Sequence, residues 1–138
     1  MDVGGLMIPP TSPLTGLLYG FAHHENLRAK EYYFWRICDE LWNHDELPEP
    51  LMVRHPWAEQ MIWAALNNKY LAIGGSASSG KSHTMAAWGI VNWLSQPKDT
   101  LVLMTSTTLR EARKRIWGSI MSLLSVVEGA PIKIRDSI

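Results

Sequence analysis

The chain has 138 residues, 46% of them hydrophobic and 19% charged, which suits one globular domain or part of one. Thirteen basic and thirteen acidic residues cancel, which excludes a global positive field for holding DNA or an anionic membrane. Cys38 is the single cysteine, so an intrachain disulfide is excluded, and the sequence has neither a signal-peptide pattern nor an apolar run of about 18 residues that would predict a membrane span.

The N-terminal third is predicted to be an arm followed by a helix. Residues 1–20 contain three prolines and four glycines, which favour an irregular arm. Apolar residues then recur at helical spacing, which predicts a helix over about residues 24–43 with one buried face. The predicted buried positions are Leu27, Phe34, Ile37, Cys38 and Leu41. Prolines at 48 and 50 predict a connector over 44–55.

The following segments alternate between helix and strand patterns. A second helix is predicted over about residues 56–68, with Pro56 in its first turn. The apolar runs 70–74 and 100–104 are typical of strands in a parallel sheet, and a helix is predicted between them over 81–94. Strand, crossover helix and strand form one right-handed unit, so the predicted fold class is α/β with a parallel sheet.

Two more elements are predicted near the end of the chain. Thr107 or Thr108 can cap a long helix. Its core-facing positions would be Leu109, Ala112, Ile116, Ile120 and Leu123. Residues 132–134 alternate like a short strand.

Residues 75–82 read G-x-x-x-x-G-K-S, which is the phosphate-binding P-loop motif without a mismatch. Its glycines permit a tight turn, and the small residues between them let main-chain N–H groups point at a phosphate. The alternative is an ordinary Gly-Ser turn between two elements. The predicted nucleotide-contacting residues of the motif are Gly75, Ser76, Ala77, Ser78, Ser79, Gly80, Lys81 and Ser82.

Lys81 and Ser82 are the predicted catalytic residues of the motif. The Lys81 ammonium is expected to contact the β- and γ-phosphates, and the Ser82 hydroxyl is the predicted Mg²⁺ ligand. His83 follows on the first helical turn and is a further nucleotide-binding candidate. The alternative for His83 is simple packing or exposure to solvent.

Hydrolysis also requires an acidic residue after a second apolar strand, where it holds Mg²⁺. The run 101–104 ends in threonine and serine, and the run before Asp136 is interrupted by Lys133 and Arg135. Asp136 is therefore a weak match to this acidic motif. We expect the chain to stop before the motif and to show no ATPase turnover by itself.

Residues 50–138 resemble the N-terminal ATPase region of the phage large terminase subunit, the motor that packages viral DNA. The resemblance rests on the P-loop segment 74–82 and on the Thr-Ser-Thr-Thr-Leu-Arg stretch 105–110, which leads into Arg-Lys-Arg-Ile-Trp-Gly at 113–118. P-loops occur in many families, so the second stretch is the more specific part.

The resemblance implies a RecA-like, three-layer P-loop NTPase fold with an incomplete parallel sheet, preceded by an α-helical N-terminal segment. Together with the arm and helix predicted from composition and periodicity, it divides the chain into the arm 1–20, a helical segment with linker 21–50, and the ATPase part 51–138. It implies ATP and Mg²⁺ as cofactors and hydrolysis that drives DNA translocation. The implied partners are double-stranded DNA, a portal, a small terminase subunit and further copies in a ring, in the host cytoplasm and without a membrane.

The segment His55-Pro56-Trp57-x-x-Gln60 resembles the adenine-reading element of this family and of helicases. A glutamine amide donates and accepts at once, which matches the adenine edge, and Trp57 can stack on the ring. The alternatives are a surface glutamine and a core tryptophan.

Three other functions remain open at this point. These are a superfamily-two helicase lobe, a small-molecule P-loop kinase and a nucleotide-binding fragment that does not hydrolyse its ligand. A kinase would carry a substrate lid and would need no upstream glutamine element.

Overall fold

The computed structural model of the chain describes residues 2–3, 6–7, 13–74, 80–103, 110 and 117–127. Within these ranges it contains five helices and one short pair of strands. The helices are α1 (Pro13–His23), α2 (Leu27–Trp42), α3 (Pro56–Asn67), α4 (Lys81–Ser95) and α5 (Gly118–Leu124). Strands β1 (Asp2–Val3) and β2 (Leu6–Met7) pair antiparallel ahead of α1.

Helices α1 and α2 form a helical hairpin joined by residues 24–26. Asn26 caps α2, because its side-chain Oδ1 accepts hydrogen bonds from the main-chain N–H groups of Arg28 and Ala29 at 2.9 and 3.1 Å. A Cβ on Gly20 would lie 2.7 Å from the Tyr33 ring. A larger residue at position 20 would therefore require the half-buried Tyr33 ring to shift.

The hydrophobic core lies where α1 and α2 pack on α4. α4 buries small and branched residues between Thr84 and Leu94 and also contacts α3 and α5. Trp88 of α4 packs edge-on against Phe21, with ring centroids 5.8 Å apart, and lies 5.7 Å from the Phe34 ring. This aromatic cluster fixes α4, and with it the end of the P-loop motif, against the helical hairpin.

The C-terminal end of α2 is fixed by hydrogen bonds to distant parts of the chain. The buried Trp42 Nε1 donates to the main-chain oxygen of Leu123 in α5 at 2.8 Å. The Asn43 side chain both donates to the Met52 carbonyl oxygen and accepts from the Met52 N–H, at 2.7 and 3.0 Å. The end of the 44–55 connector is therefore held against α2.

The helix predictions for the middle of the chain are confirmed. α2, α3 and α4 begin and end within about three residues of the predicted bounds, and Pro56 is the first residue of α3. The predicted buried positions from Phe34 to Leu41 are in the core, whereas Leu27, predicted to be buried as well, is only half-buried. The arm prediction is wrong from Pro13 onwards, because α1 begins there. The predicted strand 132–134 lies outside the described residues, and the division of the chain into domains stays a prediction.

The predicted α/β fold with a parallel sheet is wrong. Apart from β1 and β2, the regular structure of the described residues is helical, and neither 70–74 nor 100–103 is a strand. Tyr70, Leu101 and Leu103 are 85%, 88% and 79% exposed, so these apolar runs do not form a buried sheet layer. An extended run becomes a strand by hydrogen bonding to a neighbouring strand, and the described residues provide none beside these runs. Helix-on-helix packing forms the core instead.

None of the described helices is both long enough and apolar enough to cross a membrane.

Candidate functional site: the N-terminus of α4

The described part of the P-loop motif forms the start of α4. Gly80 adopts φ 79° and ψ 13°, the left-handed conformation, and is the residue with positive φ among those described. The helix begins at the next residue, Lys81, and the Thr84 N–H donates to the Gly80 carbonyl oxygen at 2.9 Å. The motif glycine therefore makes the turn that starts the helix, as the sequence predicted. The predicted contacts Gly75, Ser76, Ala77, Ser78 and Ser79 lie outside the described residues.

The first turn of α4 is suited to an anion. Main-chain N–H groups at a helix N-terminus carry a partial positive charge, and a glycine cap offers no side-chain oxygen to accept from them. Lys81 is half-buried and Ser82 is exposed in this turn. A cation and a hydroxyl thus occupy the two positions that the motif assigns to phosphate and Mg²⁺ binding.

His83 connects this turn to the end of the 44–55 connector. Its Nε2 is hydrogen-bonded to the Leu51 carbonyl oxygen, which can only accept, so Nε2 carries a proton. Leu51 in turn donates its N–H to the Trp42 carbonyl oxygen at 2.9 Å. His83 is therefore a positioning residue in this structure, and a direct contact with nucleotide stays a prediction.

The N-terminus of α3 lies beside the N-terminus of α4. His55 caps α3, since its Nδ1 accepts from the Ala58 N–H at 3.2 Å, and a neutral ring with this bond carries its proton on Nε2. That Nε2 lies 3.9 Å from the place where a Cβ on Gly80 would be. Two helix N-termini and one imidazole N–H donor therefore meet next to the motif glycine.

One acidic side chain near the junction of the α3 and α4 N-termini already has a partner. Glu59 lies in the first turn of α3, and its Oε1 accepts from Nε of Arg54 at 2.8 Å. The pair is about half exposed. Its charges largely cancel, so the junction keeps the positive potential of the two helix ends.

Trp57 and Gln60 are both exposed on α3, Trp57 by 67%. They are three residues apart, so they lie on neighbouring positions of the helix surface. The alternative of a core tryptophan is wrong for Trp57, because its position in the first turn of α3 leaves the ring outside the core. Contact of either residue with adenine stays a prediction.

A cavity that the sequence did not indicate lies near the C-terminal end of α3, about one helical turn from the start of α4. It has a volume of about 380 Å³ and lies between α3, the segment 69–74 that follows α3, and α4. The lining side chains used below are Ala65, Asn68, Leu71, Ile73, Met85 and Trp88. One signal was available in the sequence, because Lys81, Met85 and Trp88 are spaced to share one face of a helix.

A metal centre built only from protein side chains is not seen in the described ranges, where no group of three or more His, Cys, Asp or Glu side chains is arranged to hold an ion. Mg²⁺ at a P-loop is held by one hydroxyl together with substrate phosphates. The proposed role of Ser82 therefore depends on bound nucleotide. Asp136, the weak candidate for a second ligand, lies outside the described residues.

Comparisons of the chain with family models, with curated proteins and with solved structures gave no match. The resemblance to the large terminase subunit therefore rests on the motifs described above.

Proposed function

We propose that the turn at residues 75–82 binds the phosphates of ATP together with Mg²⁺, and that the chain is the ATP-binding part of a viral DNA-packaging motor. The observation that carries the phosphate-binding part is the left-handed Gly80 directly before the first residue of α4. In this arrangement the main chain turns toward the helix axis, so that an anion next to the turn meets the N–H groups of the first helical turn.

Lys81 and Ser82 have separate roles in this proposal. The Lys81 ammonium forms charge-assisted hydrogen bonds with the β- and γ-phosphates, which stabilise the negative charge of the ground state and the transition state. The Ser82 hydroxyl binds Mg²⁺, and the ion bridges phosphate oxygens. The adjacent N-terminus of α3 and Nε2 of His55 add positive potential on the other side of Gly80.

The motor assignment follows from the resemblance. The reaction is ATP hydrolysis coupled to translocation of double-stranded DNA, and the partners are the portal, the small terminase subunit and further copies in a ring. The setting is the host cytoplasm, without a membrane. In a complete motor protein that contains this chain, phosphate release that rises when double-stranded DNA is added would favour the motor over a small-molecule kinase or a module that only binds nucleotide.

The experiment is a titration of the protein with ATP, and separately with inorganic tripolyphosphate, in the presence of Mg²⁺. Lys81→Ala should weaken both ligands by tenfold or more, because the ammonium contacts the phosphates in each. Lys98→Ala is the matched control, since Lys98 is an exposed lysine in the turn after α4, and it should leave both affinities unchanged. Equal curves for Lys81→Ala and the parent protein would exclude a phosphate site at this turn.

A further inference from the structure

The cavity beside the P-loop turn lies between two helices that run in the same direction. The N-terminal ends of α3 and α4 meet at His55 and Gly80, and Ala65 further along α3 lines the same cavity as Met85 further along α4. The segment 69–74 leads from the end of α3 back toward the start of α4. This segment forms one side of the cavity, which is open to solvent. Met85 is one helical turn beyond Lys81, so the cavity begins about one turn from the start of α4.

One face of α4 connects the phosphate turn to the cavity. Lys81, Met85 and Trp88 follow each other at spacings of four and three residues, so they lie along one side of the helix. Seven residues of helix rise about 10 Å between Lys81 and Trp88. A ribose with its phosphates spans such a distance, so one nucleotide can reach both ends.

The cavity has the chemistry of a site for a flat heterocycle. Trp88 is one of its lining residues, and the Trp88 ring packs against Phe21 and Phe34. Leu71 and Ile73 add further apolar surface. Its volume falls within the roughly 300–1,000 Å³ typical of sites for small molecules. A fixed aromatic wall is favourable because it loses little freedom when a ring stacks on it.

Asn68 gives the cavity a side-chain amide that can form hydrogen bonds with the edge of an adenine base. Its Nδ2 donates one hydrogen to the Ala64 carbonyl oxygen at 2.9 Å, which fixes the plane of the amide. A side-chain amide has a second N–H and a carbonyl oxygen, and this pair matches N7 and the N6 amino group of adenine. Guanine presents an acceptor in place of that amino group, so the same amide would disfavour it.

We infer that this cavity holds the adenosine part of the bound nucleotide, with Trp88 against the base and Asn68 at its edge. The inference rests on the proposed phosphate site and extends it from the phosphates to the base. It also places the base contact at Asn68, away from Gln60, which the sequence indicated first.

Adenosine, which has no phosphates, separates the two proposals in a calorimetric titration. Ala65→Leu places a larger side chain in the cavity and should weaken adenosine binding by tenfold or more, while tripolyphosphate binds as before. Lys81→Ala should weaken tripolyphosphate binding by a similar factor and leave adenosine binding unchanged. Unchanged adenosine binding in Ala65→Leu, in a variant whose thermal melt matches the parent, would overturn the cavity assignment. Unchanged tripolyphosphate binding in Lys81→Ala would instead count against the phosphate site.

The preference for ATP over GTP tests the role of Asn68. Asn68→Ala should reduce this preference by about tenfold, because a paired amide contact is lost for adenine only. Asn67→Ala is a close control, since the Asn67 Nδ2 donates to the Trp63 carbonyl oxygen in the same way but Asn67 does not line the cavity. A loss of preference in Gln60→Ala with none in Asn68→Ala would show that the base lies on the outer surface of α3 and that the cavity assignment is wrong.

Discussion

The imidazole of His83 in α4 is hydrogen-bonded to the main-chain oxygen of Leu51, a residue 32 positions earlier in the chain. This bond joins the first turn of α4 to a connector that is itself held to α2 by Asn43. His55 follows four residues after Leu51 and lies against Gly80. The relative position of the two helix N-termini thus depends on the contact between His83 and Leu51.

Removing the His83 side chain should loosen this junction. His83→Ala leaves the Leu51 oxygen without its donor, and the expected loss is about 1 kcal/mol of unfolding free energy together with weaker ATP binding. His83→Gln retains a donor at similar reach and should recover most of both. Urea unfolding and ATP titration measure the two effects. If the alanine and glutamine variants behaved alike, the hydrogen bond would not be what positions the turn.

The left-handed conformation at Gly80 should make this glycine hard to replace. Gly80→Ala should cost about 1–2 kcal/mol, because a Cβ disfavours this backbone conformation. A clash is not the cause, since among the described residues the atom nearest to the added Cβ is Nε2 of His55, at 3.9 Å.

Two further variants, Gly80→Asn and Gly74→Ala, test that explanation. Gly80→Asn should lose less than Gly80→Ala, because asparagine tolerates the left-handed region. Gly74→Ala should change the unfolding free energy little, since no atom of the described residues lies within 4 Å of the added Cβ and Gly74 has no positive φ. Equal losses at both glycines in urea unfolding would mean that the φ of Gly80 is not the source of the cost.

Burial raises the pKa of the Cys38 thiol well above its ordinary value, and the neighbouring carboxylate of Asp39 acts in the same direction. The unfolded thiol ionises near pH 8.5, whereas the folded one keeps its proton. Above that pH the unfolded state therefore binds fewer protons than the folded state, and the unfolding free energy falls by up to about 1.4 kcal/mol per pH unit. Below that pH the stability that the protonated Cys38 contributes is fully present.

Cys38→Ala should remove this part of the pH dependence. Urea unfolding at a series of pH values from about 7 to 10 measures it, and the slopes of parent and variant above pH 8.5 are compared. All other ionisable groups are common to both proteins, so their contributions cancel in the comparison. Identical slopes would show that Cys38 ionises in the folded state as readily as in the unfolded one.

The exposed apolar run at 101–103 should tolerate charge. Leu101→Glu combined with Leu103→Glu should change the unfolding free energy by less than about 0.5 kcal/mol, since both side chains are largely in solvent. The same variant should self-associate less, because a contiguous apolar surface has been removed. Sedimentation and urea unfolding report the two properties. Leu94→Glu, in the core, is the contrasting control and should be strongly destabilised.

A variant of 101 and 103 that lost several kcal/mol would contradict the described exposure. It would indicate that the run packs against another part of the chain, as the strand prediction required.

The sequence by itself determined the elements whose signals act within a few residues. The apolar periodicity of 27–41, Pro56 at the start of α3 and Gly80 before Lys81 all act through the local backbone and gave helices close to their observed bounds. Tertiary structure decided the rest. A run such as 70–74 becomes a strand only beside another strand, and here the helices pack on each other instead. The bond from His83 to Leu51 and the cavity beside Trp88 join residues far apart in sequence, and no local pattern encodes such contacts. The exposure of Trp57 likewise depends on how α3 packs against the other helices.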